Sequence, residues 1–206
     1  AFLAVCAPLG LWHSIRNMIK YHQPLGYVPA PPIDSDLYIG WRTIGERFFS
    51  FPLSEYFGSW CNPRGDYNLW TYMLKCAIFG EWEYNAPQLL ADSFLLLFLI
   101  LAAASFLYMI WCLRNKGLHP VLRYGLPLLT AVQLISYVSF NIGYPFGCTM
   151  DFRYIVPTII PFAVYTALFA ASTGGSSRKW KQALSGVIYS LIGAFCALSV
   201  LFYVII

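Results

Sequence analysis

The sequence predicts an all-α fold: a polytopic transmembrane helical bundle with an outward-facing interfacial segment of short helices and loops. Three observations carry that prediction. The chain is 59% hydrophobic and only 11% charged, less charge than a soluble domain of this length carries. Its apolar residues gather into four runs, at about 89–113, 126–142, 154–171 and 183–206, each 17 to 25 residues long. A helix of that length crosses about 30 Å of hydrocarbon. The runs also lack the alternation of a barrel strand, so helices are left as the way to satisfy the backbone in lipid.

The elements follow in chain order. Residues 1–12, AFLAVCAPLGLW, read as the end of a truncated transmembrane helix. The chain has no initiating Met and stops in LFYVII, so a fragment of a larger membrane protein is expected. No basic region precedes the first short run, which argues against a signal peptide. Residues 13–88 form an extracytoplasmic segment rich in aromatics, including Trp41, Trp60, Trp70 and Trp82. Such content suits a bilayer interface or a groove for a sugar or lipid.

Two short helices are read inside that segment. In WHSIRNMIKYH, Ile15, Met18 and Ile19 share one face and Pro24 follows as a stop. In DYNLWTYMLKCAIFG, Asp66 is the expected cap and Gly80 the expected end. Trp70, Met73, Leu74, Ala77 and Ile78 make its apolar stripe. Both helices are expected to be able to lie flat on the membrane. PLGYVPAPPIDSD between them is a proline-rich turn region.

The charges orient the bundle. Loop 114–124 carries Arg114, Lys116 and Arg123 with no acid, and loop 172–182 carries Arg178, Lys179 and Lys181 with no acid. The positive-inside rule places both in the cytoplasm, and places residues 13–88, loop 143–153 and the C-terminus outside. The net charge of +4 is thus a topology signal, and no nucleic-acid partner is inferred from it. Trp111 and Trp180 fall at the inner boundary, where interfacial tryptophans are expected. Of the six cysteines, Cys6, Cys112 and Cys196 lie in or beside apolar runs, while Cys61, Cys76 and Cys148 lie outside. A Cys61–Cys76 disulfide is permitted there. No spacing suggests zinc.

Several polar residues are candidates for chemistry. DSD at 34–36 has the form of a metal-binding D-x-D but is read as turn or capping aspartates. Glu81 and Glu83 bracket Trp82; they are read as a hydrated edge that could alternatively offer a general base. Asp92, near the start of its run, is placed close enough to the interface to stay hydrated. Arg42, Arg47 and Arg64 are read as mostly solvated, with phosphate or sugar binding as the alternative.

The stretch YPFGCTMDFRYIVPTIIPF, residues 144–162, holds the main candidates. Asp151 can cap the helix that starts near Phe152. Arg153 either snorkels to water and headgroups or binds a carboxylate or phosphate. Residues two apart diverge on an α-helix, so the two are not expected to pair. Pro157 and Pro161 remove two backbone donors. They read either as a tolerated kink or as a loosened turn that opens a polar cavity below Arg153.

This order of elements resembles the C-terminal part of a GT-C glycosyltransferase of the family 39-like class, which includes protein O-mannosyltransferases and lipid A aminoarabinose transferases. The resemblance rests on Arg153, Tyr154 and Pro157 as an Arg-Tyr-x-x-Pro helix opening, and on Trp12, Arg16 and Asn17 in PLGLWHSIRN. It implies a bacterial plasma-membrane enzyme of the cell envelope with an outward-facing site and a polyprenyl-phosphate-linked sugar donor. It also implies that the acidic catalytic residues lie in an earlier outer loop, so no catalytic residue is carried over. Arg153 and Tyr154, with Asp151 beside them, become candidate contacts to the lipid phosphate or substrate. Trp41, Trp60 and Trp70 become candidate sugar-stacking platforms. No cofactor is predicted, and the sequence leaves a divalent metal and the oligomeric state open. The rival expectation is a non-enzymatic membrane protein, a transporter or an assembly scaffold. A transporter should show paired broken helices and several intramembrane polar sites, whereas this chain has one proline pair and one ionic residue, Asp92, within a span.

Overall fold

A computed structural model describes residues 2–22, 31–81, 86–175 and 177–205 of the chain. They divide into two compact units, Ala1–Ile33 and Asp34–Ile206. Within the first, α1 (Phe2–Tyr21) is one continuous helix. It merges the expected helix end at 1–12 with the short helix read after it. It stops at Tyr21, and His22 takes the left-handed backbone with φ of 54°. Pro24, Trp82 and Glu83 lie outside the described residues.

The second unit is all-α. It holds α2 (Leu53–Tyr56), α3 (Leu69–Phe79), α4 (Gln88–Cys112), α5 (Leu126–Gly143), α6 (Ile159–Gly174) and α7 (Lys179–Val200). A π-helical turn spans Gly45–Phe49, another precedes α5 at Val121–Gly125, and a 3₁₀ segment, Phe152–Thr158, leads into α6. The described residues contain no sheet, only an isolated bridge between Tyr38 and Phe146.

Four helical stretches are long and apolar enough to cross a membrane: Gln88–Cys112, Val121–Gly143, Gly147–Gly174 and Lys179–Val204. They coincide with the four runs read from the sequence. Their outward surfaces are apolar: Leu107 on α4, Ile135 on α5 and Val187 on α7 are all more than half exposed. A water-soluble bundle would bury such residues. A membrane span presents them to lipid. The contacts α6–α7, α4–α6 and α4–α7 form the tightest part of the bundle. Ser105 of α4 donates to the Phe162 carbonyl (2.8 Å) and Ser185 of α7 to that of Ala170 (2.9 Å). Hydroxyls thus knit these helices together inside the apolar layer.

Residues 34–81 cover the end of the bundle where α4 begins and α5 finishes. α3 is packed into the protein there. Leu69, Tyr72 and Cys76 join one apolar cluster with Tyr137 and Ile155. Ile78 and Phe79 join another with Phe94 and Phe202. Most of α3 is therefore buried: Ile78 of the predicted stripe is in the core and Trp70, Met73 and Leu74 pack against it, while Leu69, Tyr72, Lys75, Cys76 and Phe79 are buried as well. Its cap also differs from the expectation. Asn68, not Asp66, accepts from the N–H groups of Trp70 and Thr71, both at 3.1 Å. Asp66 is taken by Lys75 at 2.6 Å, a pair almost wholly buried. The helix starts at Leu69, so Asn68 holds the cap position and Asp66 stands two residues before it.

Candidate functional site at the α5–α6 junction

The chain leaving α5 is fixed before it reaches Asp151. The Ile39 N–H donates to Pro145 O (2.9 Å) and the Gly147 N–H to Leu37 O (2.7 Å). Gly147 abuts the backbone of Pro63: a Cβ there would lie 1.7 Å from Pro63 O. Only glycine fits such an approach. Thr149 Oγ1 lies 3.0 Å from Asn141 Oδ1 and 2.7 Å from Phe146 O, and Tyr137 donates its hydroxyl to the Met150 carbonyl. These buried contacts set the position of Asp151.

Asp151 caps as expected. Its backbone is extended (φ −63°, ψ 139°), and its side chain accepts from the Arg153 N–H at 2.8 Å. The expected separation from Arg153 does not hold. Arg153 Nε lies 3.5 Å from Asp151 Oδ2. The divergence rule applies to two residues inside an α-helix. Here Asp151 stands before the helix in extended conformation, and the following segment is 3₁₀. The Asp151 side chain is 12% exposed and that of Arg153 56% exposed. One end of the guanidinium is held while much of it stays open. Tyr154 is exposed, with its ring 5.4 Å from the Arg153 guanidinium and 5.2 Å from that of Phe140.

The kink reading of the prolines holds, with the break centred just before Pro157. Pro157 lies in the 3₁₀ segment and Pro161 is the third residue of α6. The first turn of an α-helix has unpartnered N–H groups in any case, so Pro161 costs α6 no hydrogen bond. The break in the chain falls at Ile155, with φ −129° and ψ 20°. Thr158 donates back to the Ile155 carbonyl at 2.7 Å.

A cavity of about 470 Å³ opens beside this junction, lined by Gly80, Glu81, Asp151 and Arg153. α3 stops at Gly80, whose φ of 61° and ψ of −148° suit glycine. The turn brings Glu81 to the same cavity as the arginine, with its Oε1 3.5 Å from the Tyr72 hydroxyl. Among the described residues, the cavity thus combines two carboxylates and one guanidinium. The loosened-turn reading of the prolines includes a polar cavity below Arg153, but not Glu81 in its wall. The signal for Glu81 was its position just past a helix-ending glycine.

The other candidates lie elsewhere. Trp60 is half-buried, 5.0 Å from Phe79 and 6.0 Å from Phe202. Trp70 donates its indole N–H to Phe48 O at 2.8 Å and packs on the first cluster. Trp41 exposes its ring, with the Arg42 guanidinium 4.2 Å from its centre and 4.4 Å from that of Tyr67. None of the three is among the residues lining the cavity. Asp36 pairs with Arg64 at 2.7 Å on the surface, within a turn. Arg47 is not solvated as expected: it is 6% exposed and donates to Asn141 O at 2.6 Å. Burial lowers its pKa. Asp92 accepts from the Gly58 N–H (3.0 Å) and the Gln88 amide (2.9 Å). Cys61 and Cys76 are both buried thiols of the first cluster. The hydrogen bond that the Cys61 thiol gives to Cys76, then burial, raises the Cys61 pKa. Among the described residues, no group of three or more His, Cys, Asp or Glu side chains is placed to hold a metal.

No family model, no curated protein and no solved structure matches this chain.

Proposed function

We propose that the chain is the C-terminal part of an integral membrane glycosyltransferase that moves a sugar from a polyprenyl-phosphate carrier to an envelope glycan, lipid or protein. The observation that carries this reading is Arg153: a guanidinium pinned by Asp151 at one nitrogen, open over half its side chain, at a cavity on the edge of four membrane spans. A polyprenyl phosphate keeps its chain in lipid and its phosphate at that edge. The guanidinium then meets the phosphate through charge-assisted hydrogen bonds. In the transfer, the bond from sugar carbon to phosphate oxygen breaks and one to the acceptor oxygen forms. The leaving phosphate gains charge that Arg153 offsets. Within this cavity, Glu81 is the carboxylate with the freer environment and is the candidate to take the acceptor's proton. Tyr154 flanks the arginine as a further contact. The family resemblance supports the same assignment for Arg153 and Tyr154.

In the full-length protein, Arg153→Ala should lower both sugar transfer and carrier binding while membrane insertion is retained. Unchanged transfer kinetics would rule out the phosphate role.

A further inference from the structure

We propose that residues 49–57, FSFPLSEYF, insert into the lipid leaflet beside α4 as an anchor that does not span the membrane. The argument is independent of any catalytic role. It begins with depth. Tyr56 donates its hydroxyl to Leu95 O at 3.0 Å. Leu95 is seven residues into α4, which starts at Gln88, about 10 Å along the axis at 1.5 Å per residue. α4 has 25 residues, so it is about 37 Å long against a hydrocarbon core of about 30 Å. If all the excess lay at the Gln88 end, the Leu95 carbonyl would still sit about 3 Å inside the core. The segment therefore reaches membrane depth through the Tyr56 hydroxyl.

Its surface fits that depth. Phe49 is 85% exposed and Leu53 60%, and Phe51 is exposed beside them. Residues 48–54 carry no charge. The one acid, Glu55, turns inward, accepting from Thr71 Oγ1 at 2.8 Å and the Asn68 N–H at 3.1 Å.

The backbone is prepared for lipid as well. Irregular backbone at this depth survives only where its polar groups find partners in the protein. The Phe48 carbonyl is met by Trp70 Nε1 at 2.8 Å and that of Ser50 by the Asn68 amide at 2.7 Å. The Ser50 N–H donates to Gly45 O, that of Tyr56 to Pro52 O and that of Phe57 to Leu53 O. Pro52 has no N–H to satisfy. These polar groups are tied inward, while Phe49, Phe51 and Leu53 are left exposed on the segment that reaches Leu95. That combination identifies lipid as the occupant.

The test places the photocrosslinker p-benzoylphenylalanine at Phe49 in the whole chain, reconstituted in vesicles of phosphatidylethanolamine and phosphatidylglycerol. The same group at Ile135, 66% exposed on α5, is the lipid-facing reference, and at Arg64, on the exposed surface pair, the water-facing one. Phe49 is so exposed that the replacement leaves the core untouched. The Phe49 position should give phospholipid adducts at a yield within about twofold of Ile135, with Arg64 at background. Adducts to a second copy or another protein, or a Phe49 yield no higher than that of Arg64, would overturn the proposal.

Discussion

The same pattern, Arg-Tyr-x-x-Pro, occurs twice in this chain, at Arg123–Tyr124–Pro127 and at Arg153–Tyr154–Pro157. Each lies near the start of a membrane-spanning stretch, Val121–Gly143 for the first and Gly147–Gly174 for the second. Each arginine lies over its tyrosine, at 4.7 Å in the first and 5.4 Å in the second. Their surroundings differ. Arg123 sits in a π-helical turn and gives its Nε to the Leu113 carbonyl at 2.9 Å. Its loop carries other exposed bases, Arg114 and Lys116, and no acid. Arg153 follows an extended cap, holds Asp151, and faces a cavity that Glu81 completes. A short pattern thus specifies a helix entry and an arginine at a membrane edge. The site comes from what the rest of the fold brings to it.

What it brings can be removed. Lys75→Met should cause the largest loss, because α3 delivers Gly80 and Glu81 and is tied down by the Lys75–Asp66 pair. Stranding Asp66 in a site where both partners are nearly inaccessible should cost about 3–5 kcal/mol. Thermal unfolding in detergent checks this. The double change Lys75→Met with Asp66→Leu should recover much of the loss, since no charge is then left buried. If the single variant melts like the parent, α3 does not depend on the pair and the two arginine sites differ less than described.

A smaller effect is expected at Glu55, which links α2 to the α3 cap. Burial raises its carboxyl pKa above the ordinary 4.5. The folded state then holds the proton more tightly than the unfolded chain. Its contribution to stability is fully present below about pH 4.5 and is lost as pH rises through the folded value. Glu55→Gln keeps an oxygen to accept from Thr71 and Asn68 but cannot ionise. It should be slightly more stable than the parent at neutral pH, with the difference vanishing on acidification. Parallel melting curves across that range would contradict this.

The four spans were legible from hydropathy because lipid imposes one rule on every residue of a run. The Asp151 cap was legible because capping is local. What depended on partners far along the chain was not. Asp66 is not the cap because the helix starts at Leu69 and Asn68 holds that position, while Lys75, nine residues on, pairs with Asp66. Arg47 was read as solvated, although Asn141, ninety-four residues away, receives it. The Asp151–Arg153 pair was missed because an α-helix was assumed where the chain is 3₁₀. Glu81 was recognised as a carboxylate near a membrane edge, but its pairing with Arg153 in one cavity needed the tertiary fold.

The central claim is that Arg153, and not Arg123, is built to hold a lipid-linked phosphate. The direct measurement is equilibrium binding of a short-chain polyprenyl phosphate to the chain in nanodiscs, for Arg153→Ala and Arg123→Ala. Loss of a charge-assisted contact should weaken binding by about tenfold or more for Arg153→Ala, with Arg123→Ala near the parent. Equal affinities for the two variants, or a larger loss at Arg123, would contradict the account.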